Sequence, residues 1–222
     1  MKKQQNKITE LVFVLDASGS MHGLEKDTVG GVNSILQEQK NLQNGDTVYV
    51  STVFFNHASR VIHDRAELSK IALMTERDYT VGGSTALYDA LGNAMKHISN
   101  IHKYARAEDV PEKTMFVVMT DGMENASRQY TQEQVKKMIQ DKQDCGWEFL
   151  FLAANIDAGA AALDIGIAAE RAVDWHADGT GVQTVYECVN ECVKNTRARK
   201  AYSRRVFAEA DQDFQTRKGD NR

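Results

Sequence analysis

Asp16, Ser18 and Ser20 stand at alternate positions where an apolar run, residues 11–15, ends abruptly. Gly19 separates the serines and permits backbone angles closed to other residues, so a turn there can aim both hydroxyls at one centre. One carboxylate and two hydroxyls suit a hard divalent cation such as magnesium, which prefers an octahedron of oxygens and keeps some of its water. The first expectation is a metal site at the end of a strand.

Strands must position these oxygens. Val, Leu and Phe at 11–15 read as a strand buried on both faces, delivering Asp16 to the rim of a sheet. A second apolar run at 114–119 ends in Thr120-Asp121-Gly122, again a carboxylate at the carboxyl end of a buried strand. From Ala86 onward Leu87, Leu91, Ala94, Met95, Ile98 and Ile101 keep helical spacing, so Ser84 or Thr85 is placed to cap that helix. Gly82-Gly83 before it lets the loop backbone approach the first stretch closely.

The rest of the chain alternates between the two periodicities. Residues 22–44 read as a helix, with Asn44-Gly45-Asp46 ending it and Gly30-Gly31 calling for close packing against the sheet. Residues 47–55 read as a strand, 60–63 as an edge strand returning beside it, and 68–74 as a short helical patch. Further on come a helix at 131–144, a strand at 147–153, a short helix at 158–163 and a last strand at 172–175. A helix after Gly179-Thr180-Gly181 places Val182, Val185, Val189 and Val193 on one face. The expected fold class is α/β: doubly wound and Rossmann-like, a mostly parallel central sheet with one antiparallel edge strand and helices on both faces.

Asp16-Ala17-Ser18-Gly19-Ser20 after a strand resembles the Asp-x-Ser-x-Ser signature of the von Willebrand factor A (vWA) family. Gly82-Gly83-Ser84-Thr85 before Ala-Leu-Tyr-Asp-Ala-Leu resembles that family's second motif, a Gly-rich loop with a metal-site threonine, and strand-Thr120-Asp121-Gly122 resembles its third. The resemblance implies a vWA domain over 8–195, between a polar arm at 1–7 and a basic helical extension or tail at 196–222. It further implies a metal-ion-dependent adhesion site (MIDAS) made by Asp16, Ser18, Ser20, Thr85 and Asp121. In the family the serines bind the ion directly, and the others bind directly or through water. The implied ion is Mg²⁺, with Mn²⁺ or Ca²⁺ as alternatives, and the implied partner is a protein whose Asp or Glu carboxylate completes the coordination.

A chain of 222 residues, 42% hydrophobic, is long enough for one large α/β domain with appendages. Its net charge of −4 argues against nucleic acid or an anionic membrane as the main partner. The apolar run behind the basic 1–7 stretch is too short for a signal peptide, and none approaches a membrane span. Cys145, Cys188 and Cys192 lack framework spacing, which fits a reducing compartment; the expected location is cytoplasmic. Cys188 and Cys192 read as core or part-buried thiols rather than a metal pair, and no histidine pair has zinc-ligand spacing. Beyond Thr196 Arg197, Arg199, Lys200, Arg204 and Arg205 cluster, with Tyr202, Val206, Phe207 and Phe214 interspersed. That stretch reads first as a solvated extension or frayed tail, and second as a docking segment for a partner or a dimer mate. Oligomeric state is left open.

The expected function is metal-dependent protein binding, within an intracellular complex. An assembly or regulatory subunit of an ATPase, chelatase or stress-response complex is the alternative; with no Gly-x-x-x-x-Gly-Lys motif here, the ATPase would be a separate protein. A metal-dependent hydrolase comes last. Ser18, His22 and Asp121 hold the side-chain types of a triad, yet no Gly-x-Ser-x-Gly elbow is present, and the Asp-x-Asp of an aspartyl phosphatase is Asp-x-Ser here. The chain is therefore expected not to be an enzyme. Met21, His22, Asn56, His57, Tyr88, Met123, Glu124, Asn125 and Asn155 fall near strand or motif ends, where specificity would be set.

Overall fold

The structure, a computed structural model, describes residues 7–42 and 45–217. The expected N-terminal arm, Lys7 apart, and Asn44 of the expected helix-ending turn lie outside these residues. Strands β1 (Ile8–Asp16), β2 (Thr47–Phe55), β3 (Ser59–Glu67), β4 (Lys113–Thr120), β5 (Glu148–Ala153) and β6 (Ala172–Asp174) form one sheet in the order β3-β2-β1-β4-β5-β6. Neighbours run parallel except β3, which returns antiparallel to β2 as the edge. The chain winds outward from β1 in one direction and then resumes on its other side at β4. A crevice therefore opens at the carboxyl ends of β1 and β4, the place where doubly wound sheets bind ligands.

Period-two alternation along β1 divides the core. Leu11, Phe13 and Leu15 face α1 (Glu25–Asn41) and α5 (Gly179–Arg197), meeting Val32, Ile35 and Val189. Val12 and Val14 face the other way, toward α2 (Leu87–Tyr104), α3 (Gln132–Asp144) and α4 (Ala158–Asp164). Each such fully buried side chain contributes about 1.5–3 kcal/mol. Cys188 and Cys192 lie buried on α5 and Cys145 is exposed. Among the described residues no helix is long and apolar enough to cross a membrane.

Several elements depart from the sequence reading. α1 starts at Glu25 because residues 19–21 turn as a 3-10 helix and Gly23 takes a positive φ of 92°. Gly31 packs against α5 rather than the sheet: a Cβ there would lie 2.2 Å from the Tyr186 ring. β3 extends to Glu67 through a bulge where Arg65 adopts φ 47°, so its charged residues stay in the strand. Residues 68–74 are not a helix. Leu68, Ile71 and Met74 are buried at helix-like spacing, but the backbone is held from α1, where Asn33 brackets Met74 with bonds of 2.8 and 2.9 Å.

As far as Arg217, the C-terminal stretch is helical in part and anchored on the domain through a few buried side chains, with most of its other residues exposed. A 3-10 turn (Arg204–Phe207) and α6 (Ala208–Arg217) lie on the sheet's β6 side and on α5, with Phe207 and Ala210 buried. Arg197 is buried and pairs with Asp46 at 2.8 Å, while Arg199 pairs with Glu112 at 3.0 Å and the exposed Arg204 with Asp211 at 2.7 Å. Three of the five basic residues that look like a docking patch in sequence are thus ion-paired within the domain, and Lys200 and Arg205 are exposed.

Candidate metal centre

β1 ends in Asp16, whose Oδ1 accepts from the Ser18 amide at 2.7 Å, a local turn that swings the chain back over the strand. Asp16 Oδ2 accepts from Thr120 Oγ1 at 2.6 Å, tying the ends of β1 and β4 together. Tyr79 donates its hydroxyl to the Asp16 carbonyl. Still within the first loop, Ser20 Oγ donates to Asp121 Oδ1 of the third loop at 2.6 Å. That uses the one Ser20 proton, so Ser18 Oγ donates in the 3.1 Å contact with Ser20 Oγ. Asp16, Ser18, Ser20 and Asp121 thus form one cluster at the crevice.

Thr85 reaches the cluster through its loop. Gly19 N donates to Gly83 O at 3.0 Å and Gly82 N to Ala17 O at 2.9 Å, stitching the Gly-rich loop along the first motif. Gly83 has φ 78°, which favours glycine, and a Cβ there would meet the His57 ring at 2.4 Å. A Cβ on Gly122 would sit 3.8 Å from Ser20 Oγ and 4.0 Å from Thr85 Oγ1, which puts both hydroxyls against Gly122.

Neither Ser84 nor Thr85 caps α2. The N-cap is Ala86, and the free amides of the first turn are taken from the third loop: Glu124 Oε2 accepts from Tyr88 N at 2.9 Å and Ser127 Oγ from Asp89 N at 3.0 Å. Asp89 replies by accepting from the amides of Arg128, Gln129 and Tyr130. Asn125 pairs with Thr85 through both its side chain and its amide. A polar residue two to five places beyond a motif carries no local mark of such a role. Among the rim candidates, Met21 is fully buried, Asn155 donates to Asp121 O at 3.2 Å, and His22 bonds Glu25 at 3.0 Å rather than Ser18. Ser18, His22 and Asp121 are therefore not joined in a Ser-His-Asp relay.

Burial pushes the Asp16 carboxyl above the ordinary carboxylate value, against hydrogen bonds from Thr120 and Ser18 and with added repulsion from Asp121. Asp121 is pushed up by burial as well. Asp121 Oδ2 is buried without a hydrogen-bond partner, and the Thr85 hydroxyl makes none among the described residues. No group of three or more His, Cys, Asp or Glu gathers at metal-binding distance among those residues, so any ion here depends on hydroxyl oxygens. Uncommitted lone pairs on neutral hydroxyls beside two crowded carboxylates fit a small hard cation.

A doubly wound sheet with this loop arrangement at the carboxyl ends of its central strands is that of a vWA domain. More narrowly, a family model described as "VWA domain containing CoxE-like protein" matches residues 1–183, and the chain belongs to that family. Among solved structures, the pilus adhesin SpaC from Lactobacillus rhamnosus GG, in its open conformation, is similar with TM-score 0.67 and 14% identity over 87% of this chain and 31% of its own. A von Willebrand factor type A structure from Catenulispora acidiphila gives 0.58 and 14%, over 86% of this chain and 43% of its own. Proximal thread matrix protein 1 from the mussel byssus, solved with a zinc-occupied MIDAS motif, gives 0.58 and 15%, over 85% and 46%. The chain spans less than half the length of each of these proteins, and at such identities the likeness is one of fold. None of the curated proteins compared with the chain matches it.

Proposed function

We propose that the chain is a metal-dependent protein-binding module, not an enzyme, acting within a cytoplasmic complex. vWA domains often mediate protein interactions, and the CoxE-like family points to a role in a complex. The hydroxyls of Ser18, Ser20 and Thr85 and the carboxylates of Asp16 and Asp121 would hold Mg²⁺, with Mn²⁺ or Ca²⁺ as substitutes. The observation that carries this reading is the buried, unpartnered Asp121 Oδ2 beside hydroxyls with lone pairs to give. The zinc-occupied MIDAS of the byssus protein supports it by analogy.

When bound, the ion supplies an electrophilic position that an external carboxylate fills. The chain's own residues orient the donors and shield them. Asp16 fixes the first loop through Ser18 N, Thr120 couples the two strand ends, and Tyr79 and Gly83 close the floor. Three of the five donors are neutral and the two carboxylates together would match the charge of a divalent ion, so residual positive charge would remain on the ion if one carboxylate were held at a distance through water. An incoming Asp or Glu is then attracted rather than repelled.

Titration with Mn²⁺ followed by electron paramagnetic resonance tests the site. The wild type should bind, and Asp16→Ala combined with Ser18→Ala should not; equal affinity in both would overturn the metal assignment. Capture of cellular proteins in Mg²⁺ should be lost in EDTA and with Asp121→Ala. An identical captured set with and without metal would sink the bridging role while leaving the fold intact.

A further inference from the structure

Most polar residues around the metal centre are committed to holding its loops. Asn56 donates to Gly82 O and accepts from Ala58 N, Asn125 accepts from Thr85 N, and Asn155 donates to Asp121 O. Both oxygens of Glu124 are taken by amides of its own loop and of α2. Next to Gly122, which abuts Ser20 and Thr85, stands Met123 at 71% exposure. Of the large exposed apolar side chains among the described residues, Val61, Leu73, Tyr104, Met123 and Leu163, it is the one on a loop carrying a site residue.

Its loop is held by Glu124, Asn125 and Asp89, so the side chain is presented from a fixed backbone. A preorganised apolar contact at the centre of an interface costs little ordering on binding and has the character of a hot spot. Methionine's unbranched thioether adapts to differently shaped apolar partners.

Resting on the metal-bridge reading, we propose that Met123 is the specificity-determining contact beside the metal centre. The partner segment presents an Asp or Glu with a large apolar residue within two positions of it. The carboxylate goes to the metal and the apolar side chain packs on Met123.

The test uses the full chain and displayed short peptides bearing a fixed central Glu between random flanks, selected in Mg²⁺. Leu, Ile, Val, Phe or Met should be enriched within two positions of the Glu. A selected peptide, made synthetically, should lose about tenfold in affinity with Met123→Ser and keep it with Met123→Leu, while Mn²⁺ affinity by paramagnetic resonance is the same in all three proteins. Unchanged binding to Met123→Ser, enrichment without apolar bias, or no enrichment by a protein that binds Mn²⁺ would overturn the Met123 assignment. Failure of the wild type to bind Mn²⁺, or peptide binding that is equal in EDTA, would instead bring down the metal reading and this one with it.

Discussion

β1 carries a buried carboxylate toward each end, and the fold treats the two in opposite ways. Glu10 is fully buried, and its Oε2 lies 3.0 Å from Arg65 Nε and 2.9 Å from His102 Nε2. The bulge in β3 brings Arg65 there, stacked over Tyr49 at 4.6 Å and donating also to Asp109 O. At the other end, Asp16 and Asp121 make no ion pair with any described residue; their partners are hydroxyls and amides. Burying a carboxylate without a cation is costly, and both are pushed toward the protonated form. A buried carboxylate alone is therefore no mark of function. What distinguishes the two ends is that the chain supplies the counter-charge at one and withholds it at the other.

The largest effect should come from making the ends alike. Removing the cation with Arg65→Ala leaves Glu10 buried with only His102, and should lower stability in urea by about 3 kcal/mol, equally in Mg²⁺ and in EDTA. A loss below about 1 kcal/mol would mean that Glu10 does not depend on its chain-supplied partner. Supplying the missing charge at the other end should act in the opposite direction: Mg²⁺ at a hundred times its dissociation constant should raise wild-type stability by about 2.7 kcal/mol over EDTA. Identical urea midpoints in Mg²⁺ and EDTA would erase the distinction between the two ends.

Only one of these ends was legible in the sequence. Asp16, Ser18, Ser20, Thr85 and Asp121 stand out because each follows or precedes a strongly patterned element, and the mostly parallel sheet with one antiparallel edge is legible in the same alternation. Glu10 lies just before the apolar run, in the part of β1 that the pattern does not mark, and nothing local links it to Arg65 or His102. Residues 68–74 misled because Leu68, Ile71 and Met74 keep a three-residue spacing that an irregular chain crossing beneath α1 also produces. Thr85 looked like a helix cap, whereas the amides of α2 are capped by Glu124 and Ser127 from across the crevice. Beyond residue 196 charge masks packing: Phe207 is buried, while Arg197 and Arg204 pair within the domain. Periodicity reports which face is buried; it does not report which distant side chain answers a polar one.

A smaller and opposite-signed effect should follow from neutralising the uncompensated end. In Asp16→Asn the carboxamide can still accept from Ser18 N and turn its NH₂ toward Thr120 Oγ1, so the local bonds persist without the buried charge. Metal-free stability should stay level or rise by up to about 1 kcal/mol, and the stabilisation by Mg²⁺ should vanish. A fall as large as that of Arg65→Ala, measured in EDTA, would mean that the Asp16 charge serves the fold in the same way as Glu10.

The smallest effect on the fold, and the sharpest for assigning roles, should come from Thr85→Val. Thr85 is buried, and its amide and carbonyl are held by Asn125, but its hydroxyl has no hydrogen bond among the described residues. Valine keeps the branched shape and removes only the hydroxyl, so metal-free stability should change by no more than about 0.5 kcal/mol. Mn²⁺ affinity should nevertheless fall by about tenfold, the equivalent of one weakened oxygen contact. The two readings of this residue then separate cleanly. A hydroxyl that serves the fold costs stability when removed and leaves metal affinity alone, whereas a hydroxyl held for a cation does the reverse.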